Sequence, residues 1–454
     1  MQVAEQGDGC DGSVLGRAVR RSYDTRVPRP GSPRGRAVPA ALALGAVALA
    51  AALVALLRLT LWSEDVPAPL PVDVDAYFDP AELAGNRRYR EGLWAFAIAL
   101  APLPAAIAIA VAATGARWRS RLLRIAGGRV WWAGALFGAG LALLTAVVTL
   151  PLRAARFAWA RAEGPVVQSS AGWSLDVVVA TGIQMLVMGA LGLVVVVLVF
   201  HAGRWWPAGL AALAATLVVA ATFAGPLVAE LFMRTEPLRD PQLRAQLVDL
   251  ADRAGVQVDD VRVNDASART RSPNAFVGGL GSTRRIVLYD TLVEGFPPEQ
   301  VRLVTAHELA HIERRHIERG PLWAGVLMLP AVLLVTAAVG WRPGFEPPGR
   351  DAPGRELAVR RLAIIAAAAL TLGVVATPLV NWVSRAYEAE ADWIMLQLTD
   401  DPDAAIAFRQ GRVDRAVAVP DPPRAIQFWF GTHPTSLDRI GLAERARAEP
   451  EASP

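Results

Sequence analysis

The run Ala306-His307-Glu308-Leu309-Ala310-His311-Ile312 decides how this chain is read. On an α-helix, residues four apart stack on one face, so the imidazoles of His307 and His311 project side by side and can bind a single Zn²⁺. Glu308 then stands beside the open metal position, where a general base for water is needed. A surface helix carrying these residues by chance is the plain alternative. The chain has only five histidines, 201, 307, 311, 316 and 433, and three of them fall within ten residues here. The single cysteine, Cys10, excludes an internal disulfide and any Cys-rich metal site, so a metal must be held by His and carboxylates. The apolar spacing of Val301, Val304, Leu309 and Ile312 predicts a helix over 299–318. Five positions after His311, His316 points off the ligand face of such a helix and reads as a surface histidine.

A catalytic zinc needs three protein ligands, and the third must come from elsewhere. Ser384-Arg385-Ala386-Tyr387-Glu388-Ala389-Glu390-Ala391-Asp392 supplies a helical pattern in which Glu388 and Asp392 share a face while Glu390 points away. Glu388 can ligate the metal, and Asp392, one turn on, can accept the free ring N–H of a ligand histidine and fix its tautomer. An acidic helix start favoured by the macrodipole is the competing reading.

These two runs lie in a chain of 454 residues whose apolar residues are gathered into long blocks. Seven stretches approach the ~20 residues that a helix needs to cross a bilayer; they fall at 38–61, 92–114, 130–152, 176–200, 207–232, 321–341 and 362–383. The first is too long for the apolar core of a cleaved signal and is expected to remain as a span. The predicted fold class is a mostly α membrane protein with about seven transmembrane helices and a small α+β zincin-like domain of the HExxH gluzincin type. Its organisation reads as a basic, disordered tail over 1–36, five spans over 37–232 and a metalloprotease segment over 233–320 with the HExxH helix. Two further spans over 321–383 follow, and then a second protease segment over 384–454 carrying the third ligand. Two spans separate the polar segments, so both emerge on the same side and can share one site. Within the first, a helix over 241–254, a strand at Val261–Val263 and a hairpin of Asn274–Val277 with Arg285–Tyr289 are predicted.

All basic side chains are arginine, and the high pI of about 9.8 reflects a formal net charge of only +4. The arginines cluster beside apolar blocks, as topology signals do, so the lipid bilayer and no nucleic acid is the expected partner. The arginine-only, Ala- and Gly-rich composition points to a GC-rich bacterial genome and so to a multi-pass protein of the cytoplasmic membrane.

The order of spans, the HELAH helix before the last two and the SRAYEAEAD run after them resemble the type 1 CAAX prenyl protease family and its bacterial relatives. The likeness extends through Ser272–Gly278, Arg285–Thr291, His433-Pro434 and Arg439. It implies a membrane zinc endopeptidase holding one Zn²⁺ through His307, His311 and Glu388, with Asp392 behind them. It also implies a strand edge at Asn274, Ala275, Phe276 and Val277 that pairs with substrate backbone, His433 near the scissile carbonyl, and Arg439 in support. The substrate would be an extended peptide or a membrane protein. Pro-Thr-Ser follows at 434–436 where the prenyl-processing enzymes usually have Pro-Pro-Leu, which argues against prenyl specificity. By the residues alone, His433 fits equally a loop before a helix starting near Ser436. A transporter or non-proteolytic scaffold is the runner-up, and the nearly uncharged middles of the spans count against it. Positive-inside reasoning puts the arginine-rich tail and the 115–129 loop in the cytoplasm and the metal site outside; the family likeness implies a cytosolic site.

Overall fold

The structure is a computed structural model that describes residues 33–61, 66–230, 234–278, 284–341 and 347–449. The expected disorder of the 1–36 tail therefore lies, up to residue 32, outside the described residues. Helix α1 spans Pro33–Leu61, α2 Pro80–Leu100, α3 Leu103–Ala113, α4 Ala116–Ile125, α5 Val130–Glu163, α6 Ser170–His201 and α7 Trp206–Glu230. Strand β1 (Thr235–Pro237), α8 (Pro241–Arg253), β2 (Asp260–Asn264), β3 (Ala275–Gly278), β4 (Arg285–Tyr289), α9 (Asp290–Val293) and α10 (Pro298–Glu313) follow. The chain continues through α11 (His316–Val339), α12 (Ala352–Thr399), α13 (Pro402–Arg415), α14 (Arg424–Phe430) and α15 (Ser436–Ala448).

Among the described residues, six stretches are long and apolar enough to cross a membrane: Ala40–Arg58, Pro80–Ala113, Val130–Glu163, Ser170–His201, His316–Val339 and Ala352–Thr399. They fall on six of the seven expected blocks. The seventh, 207–232, is helical as α7 as far as Glu230, with side chains described only to residue 220. Helices α5 and α6 lie backbone to backbone: a Cβ on Gly138 would meet the Met188 carbonyl, and one on Gly192 the Gly134 carbonyl. Small residues permit that approach where lipid gives no hydrophobic drive between helices.

The sheet has the order β1-β2-β4-β3, with β2 and β4 parallel and the outer strands antiparallel to their neighbours. β3 and β4 pair Ala275 with Leu288 and Gly278 with Arg285, the predicted hairpin, and β3 is an edge of the described sheet. One core joins α8 (Leu243, Leu247, Leu250), the sheet (Val261, Ile286, Leu288), α10 (Val301, Leu309), α13 and α15. Phe78 and Leu83, at the start of α2, belong to the same core. The polar segments thus take in residues from the α1–α2 connection, which sequence reading had left out: Leu70 N–H donates to the Gly441 carbonyl at 3.0 Å. The α5–α6 connection also reaches them, Val167 N–H donating to the Arg269 carbonyl at 3.0 Å.

Two expectations about helices are corrected. The helix predicted over 299–318 is broken: α10 stops at Glu313, Arg315 takes a left-handed φ of 55°, and α11 starts at His316. Conversely, the last apolar block and the SRAYEAEAD run form one uninterrupted 48-residue helix, α12.

Candidate active site

Helix α10 begins at Pro298, whose missing N–H costs nothing in the first turn. Its apolar face buries Val301, Ala306, Leu309 and Ala310, and this turns His307 and His311 toward α12. Helix α12 presents Glu388 and Asp392 one turn apart, with Asp392 buried. Because α12 also carries the last apolar block, both carboxylates stand on a rod anchored in the span region.

The Nε2 atoms of His307 and His311 face each other at 3.2 Å. Glu388 completes a triangle, with Oε2 3.2 Å from His307 Nε2 and Oε1 3.6 Å from His311 Nε2. Three donors each about 2.1 Å from a tetrahedral ion would lie roughly 3.4 Å apart. Without an ion, two imidazole nitrogens at this distance can share only one hydrogen, and the buried Glu388 Oε2 has no hydrogen-bond partner. His307, His311 and Glu388 therefore could hold a metal ion, and the donor set fits one.

Behind the triangle, Asp392 Oδ1 lies 3.0 Å from His307 Nδ1 and 3.3 Å from Arg409 Nη2, and it also contacts Arg439. Asp392 thus lies next to the nitrogen of His307 that faces away from His311 and Glu388. Arg439 is one of the two buried cations against it, and Arg409 on α13 is the other, which sequence reading had no reason to single out. His433 projects from the loop before α15 with Nε2 3.3 Å from Glu388 Oε2, and its side chain is about half exposed. The loop is held by Gln427, whose side-chain amide donates to the His433 carbonyl at 2.7 Å. Of the expected substrate edge, Ala275, Phe276 and Val277 are in β3 and Asn274 immediately precedes it, its carbonyl accepting from Tyr289 N–H at 3.0 Å. β3 packs beside α10.

His316 corrects the sequence reading. It is buried, its Nδ1 lies 2.9 Å from Nδ1 of His311, and its Nε2 lies 3.0 Å from Glu390 Oε2. The left-handed Arg315 swings the chain and returns the ring to the site, whereas a continuous helix would have carried it outward.

The electrostatics separate His307 from His311. Burial alone would pull His307 down, but the carboxylates of Asp392 and Glu388 outweigh it and hold the imidazole up to about 9. His311 is lowered to about 3, first by burial and then by the charge on His307. Burial raises Glu308 to about 7, opposed by His307. Among the described residues no side chain bonds to the Glu308 carboxyl, which feels His307, Glu388 and Arg439 only through their charge.

Residues 237–446, which contain every one of these groups, match the model of Peptidase family M48. The chain resembles the membrane metallopeptidases of that family. It is 28% identical over 315 residues to the uncharacterized metalloprotease YhfN of Bacillus subtilis (strain 168), covering 68% of this chain and 73% of that one. CAAX prenyl protease 1 of Saccharomyces cerevisiae is 37% identical over 101 residues, which is 22% of each chain. The match thus spans about a fifth of the yeast protein's length. In fold, the crystal structure of S. mikatae Ste24p aligns with a TM-score of 0.67 at 18% identity, covering 92% of this chain and 100% of that one. The three side chains that could hold a metal ion thus lie on α10 and α12, inside the stretch that matches the M48 model.

Proposed function

We propose that the chain is a zinc-dependent endopeptidase of a bacterial cytoplasmic membrane, hydrolysing extended peptides or membrane proteins at the His307, His311, Glu388 site. The observation that carries this reading is the triangle of donors with Glu308 beside it, free of partners. Zinc held there would supply Lewis acidity toward a peptide carbonyl and make water more acidic. Glu308, with a carboxyl near neutrality, takes the proton of the attacking water and delivers it to the leaving amine. Asp392 orients His307 through Nδ1, and Arg439 and Arg409 keep Asp392 in place. His433 is placed to donate to the oxyanion that forms on the scissile carbonyl. The free edge of β3, from Asn274 to Val277, pairs with the substrate backbone and keeps it extended. In this reading the protease region is built by 233–320 and 384–454, with the 66–91 connection as a third contributor.

Purified protein should carry about one zinc per chain and cleave an unfolded protein substrate. Dialysis against a chelator should abolish cleavage, and zinc should restore it. Metal-independent cleavage, or a chain that binds no zinc, would refute the proposal; the second result is what a transporter or scaffold would give.

A further inference from the structure

We propose that His316 and Glu390 form a positioning relay for the metal ligand His311, fixing its tautomer and ring as Asp392 does for His307. The inference rests on the reading of His307, His311 and Glu388 as the metal site. His311 turns Nε2 toward His307 and Glu388, so that nitrogen must carry the lone pair and the ring hydrogen must sit on Nδ1. Nδ1 lies 2.9 Å from Nδ1 of His316, which can then only accept. His316 accordingly bears its own hydrogen on Nε2, which lies 3.0 Å from Glu390 Oε2 and donates to it. Every hydrogen in the chain Glu390–His316–His311 is assigned once the metal takes one end and a carboxylate the other. No other tautomer of the three groups satisfies both contacts without a charged imidazole.

The relay is also held mechanically. His316 and Glu390 side chains are 4% and 13% exposed. The Tyr387 ring stacks on His316 at 4.2 Å with planes 11° apart. Arg314 Nε and Arg319 Nη1 stand 3.6 and 4.0 Å from the two Glu390 oxygens and hold that side chain in place. The same helix, α12, thus backs both ligand histidines: Asp392 reaches His307 directly, and Glu390 reaches His311 through an inserted imidazole. The insertion is possible because α10 breaks at Arg315, which brings His316 back beside His311.

The test compares zinc affinity of the metal-free protein, by competition with a chromogenic chelator, in wild type, His316→Leu, His316→Gln and Glu390→Gln. Leu fills the space but neither accepts nor donates, and affinity should fall about 10–100-fold. Gln offers a carbonyl to His311 and an amide hydrogen to Glu390, and should recover most of that loss. Glu390→Gln should fall between, and adding it to His316→Leu should cost little more, since the relay is already cut. If His316 only packs against Tyr387, Leu will hold zinc as well as or better than Gln, and the relay is overturned. Equal affinity of Glu390→Gln and wild type overturns it too, and this near-isosteric change serves if the His316 variants misfold. A wild-type chain without zinc refutes the site itself and the relay with it; tight wild-type binding with an equally tight His316→Leu refutes the relay alone.

Discussion

Replacing Asp392 by Asn should destabilise the fold more than it weakens metal binding. Asp392 is 3% exposed and serves three groups through Oδ1: His307 at 3.0 Å, Arg409 at 3.3 Å and Arg439 in direct contact. Both guanidinium groups are themselves only 8% exposed. An amide keeps the shape but removes the charge paired directly with two buried cations. Removing one partner from a buried ion pair costs ~3–5 kcal/mol, whereas losing the support of a ligand imidazole costs about 10–100-fold in metal affinity, or ~1.4–2.7 kcal/mol. The larger number belongs to folding, a consequence invisible when Asp392 is considered only as a partner of His307. Thermal unfolding of the metal-free protein isolates the first effect, and zinc competition on the folded variant isolates the second. Adding Arg409→Gln to Asp392→Asn should restore part of the lost stability, because one stranded cation is removed. A metal-free Asp392→Asn protein that melts with the wild type would refute the reasoning.

Glu308→Gln should keep the fold and bound zinc but lower peptide hydrolysis by about 10²–10⁴-fold, read from cleavage rate beside metal content. Glu388→Ala should lose both zinc and hydrolysis; a variant that keeps its metal would mean that another carboxylate completes the site. Apparent zinc affinity should rise about tenfold per pH unit between neutrality and about 9 and level off above, because metal must displace the proton that His307 holds up to about 9. The metal-free fold should show the opposite slope. The raised pKa of His307 stabilises it fully below the ordinary value of 6.5, and this contribution is lost as pH climbs to about 9.

Spacing made the ligands legible, and path made the rest illegible. His307 and His311 follow from one helical turn, and Glu388 and Asp392 from another; the structure brings the first three together as a group that could hold a metal ion, with Asp392 3.0 Å from His307 Nδ1. Six of the seven apolar blocks are span-length helices because hydropathy over ~20 residues is a strong signal. His316 is not placed by periodicity because the break at Arg315 has no Gly or Pro to announce it, and the contacts flanking it, of Arg314, His316 and Arg319 with Glu390, reach about seventy residues along the chain. Arg409 escaped because nothing local ties a residue of α13 to a carboxylate seventeen positions earlier. The role of residues 66–91 was hidden for the same reason, since Leu70 and Gly441 meet across almost the whole chain.

The structure also sharpens the question of sides. The connection after α1 is bonded to α15 through Leu70 and Gly441, so it lies with the metal site, and the tail before α1 must lie across the membrane from it if α1 crosses once. Likewise the connection after α5 is bonded to the segment that carries the His307–His311 helix through Val167 and Arg269, so the 115–129 loop before α5 also lies on the far side. Neither step depends on whether α7 crosses. By sequence, the tail before α1 carries Arg17, Arg20, Arg21, Arg26, Arg29, Arg34 and Arg36, and the 115–129 loop carries Arg117, Arg119, Arg121, Arg124 and Arg129. The near side receives the acidic Asp73, Asp75, Asp79 and Glu82. Lys and Arg in short loops set orientation by staying in the cytoplasm, so the metal site is expected outside it, against the side implied by the likeness to prenyl proteases. In a Cys10→Ser background, a membrane-impermeant maleimide should label Asp249→Cys in intact cells, since that side chain is 74% exposed. Arg117→Cys should label only after permeabilisation. The reverse pattern would place the site in the cytoplasm and show that the arginines of the tail and the 115–129 loop do not govern insertion.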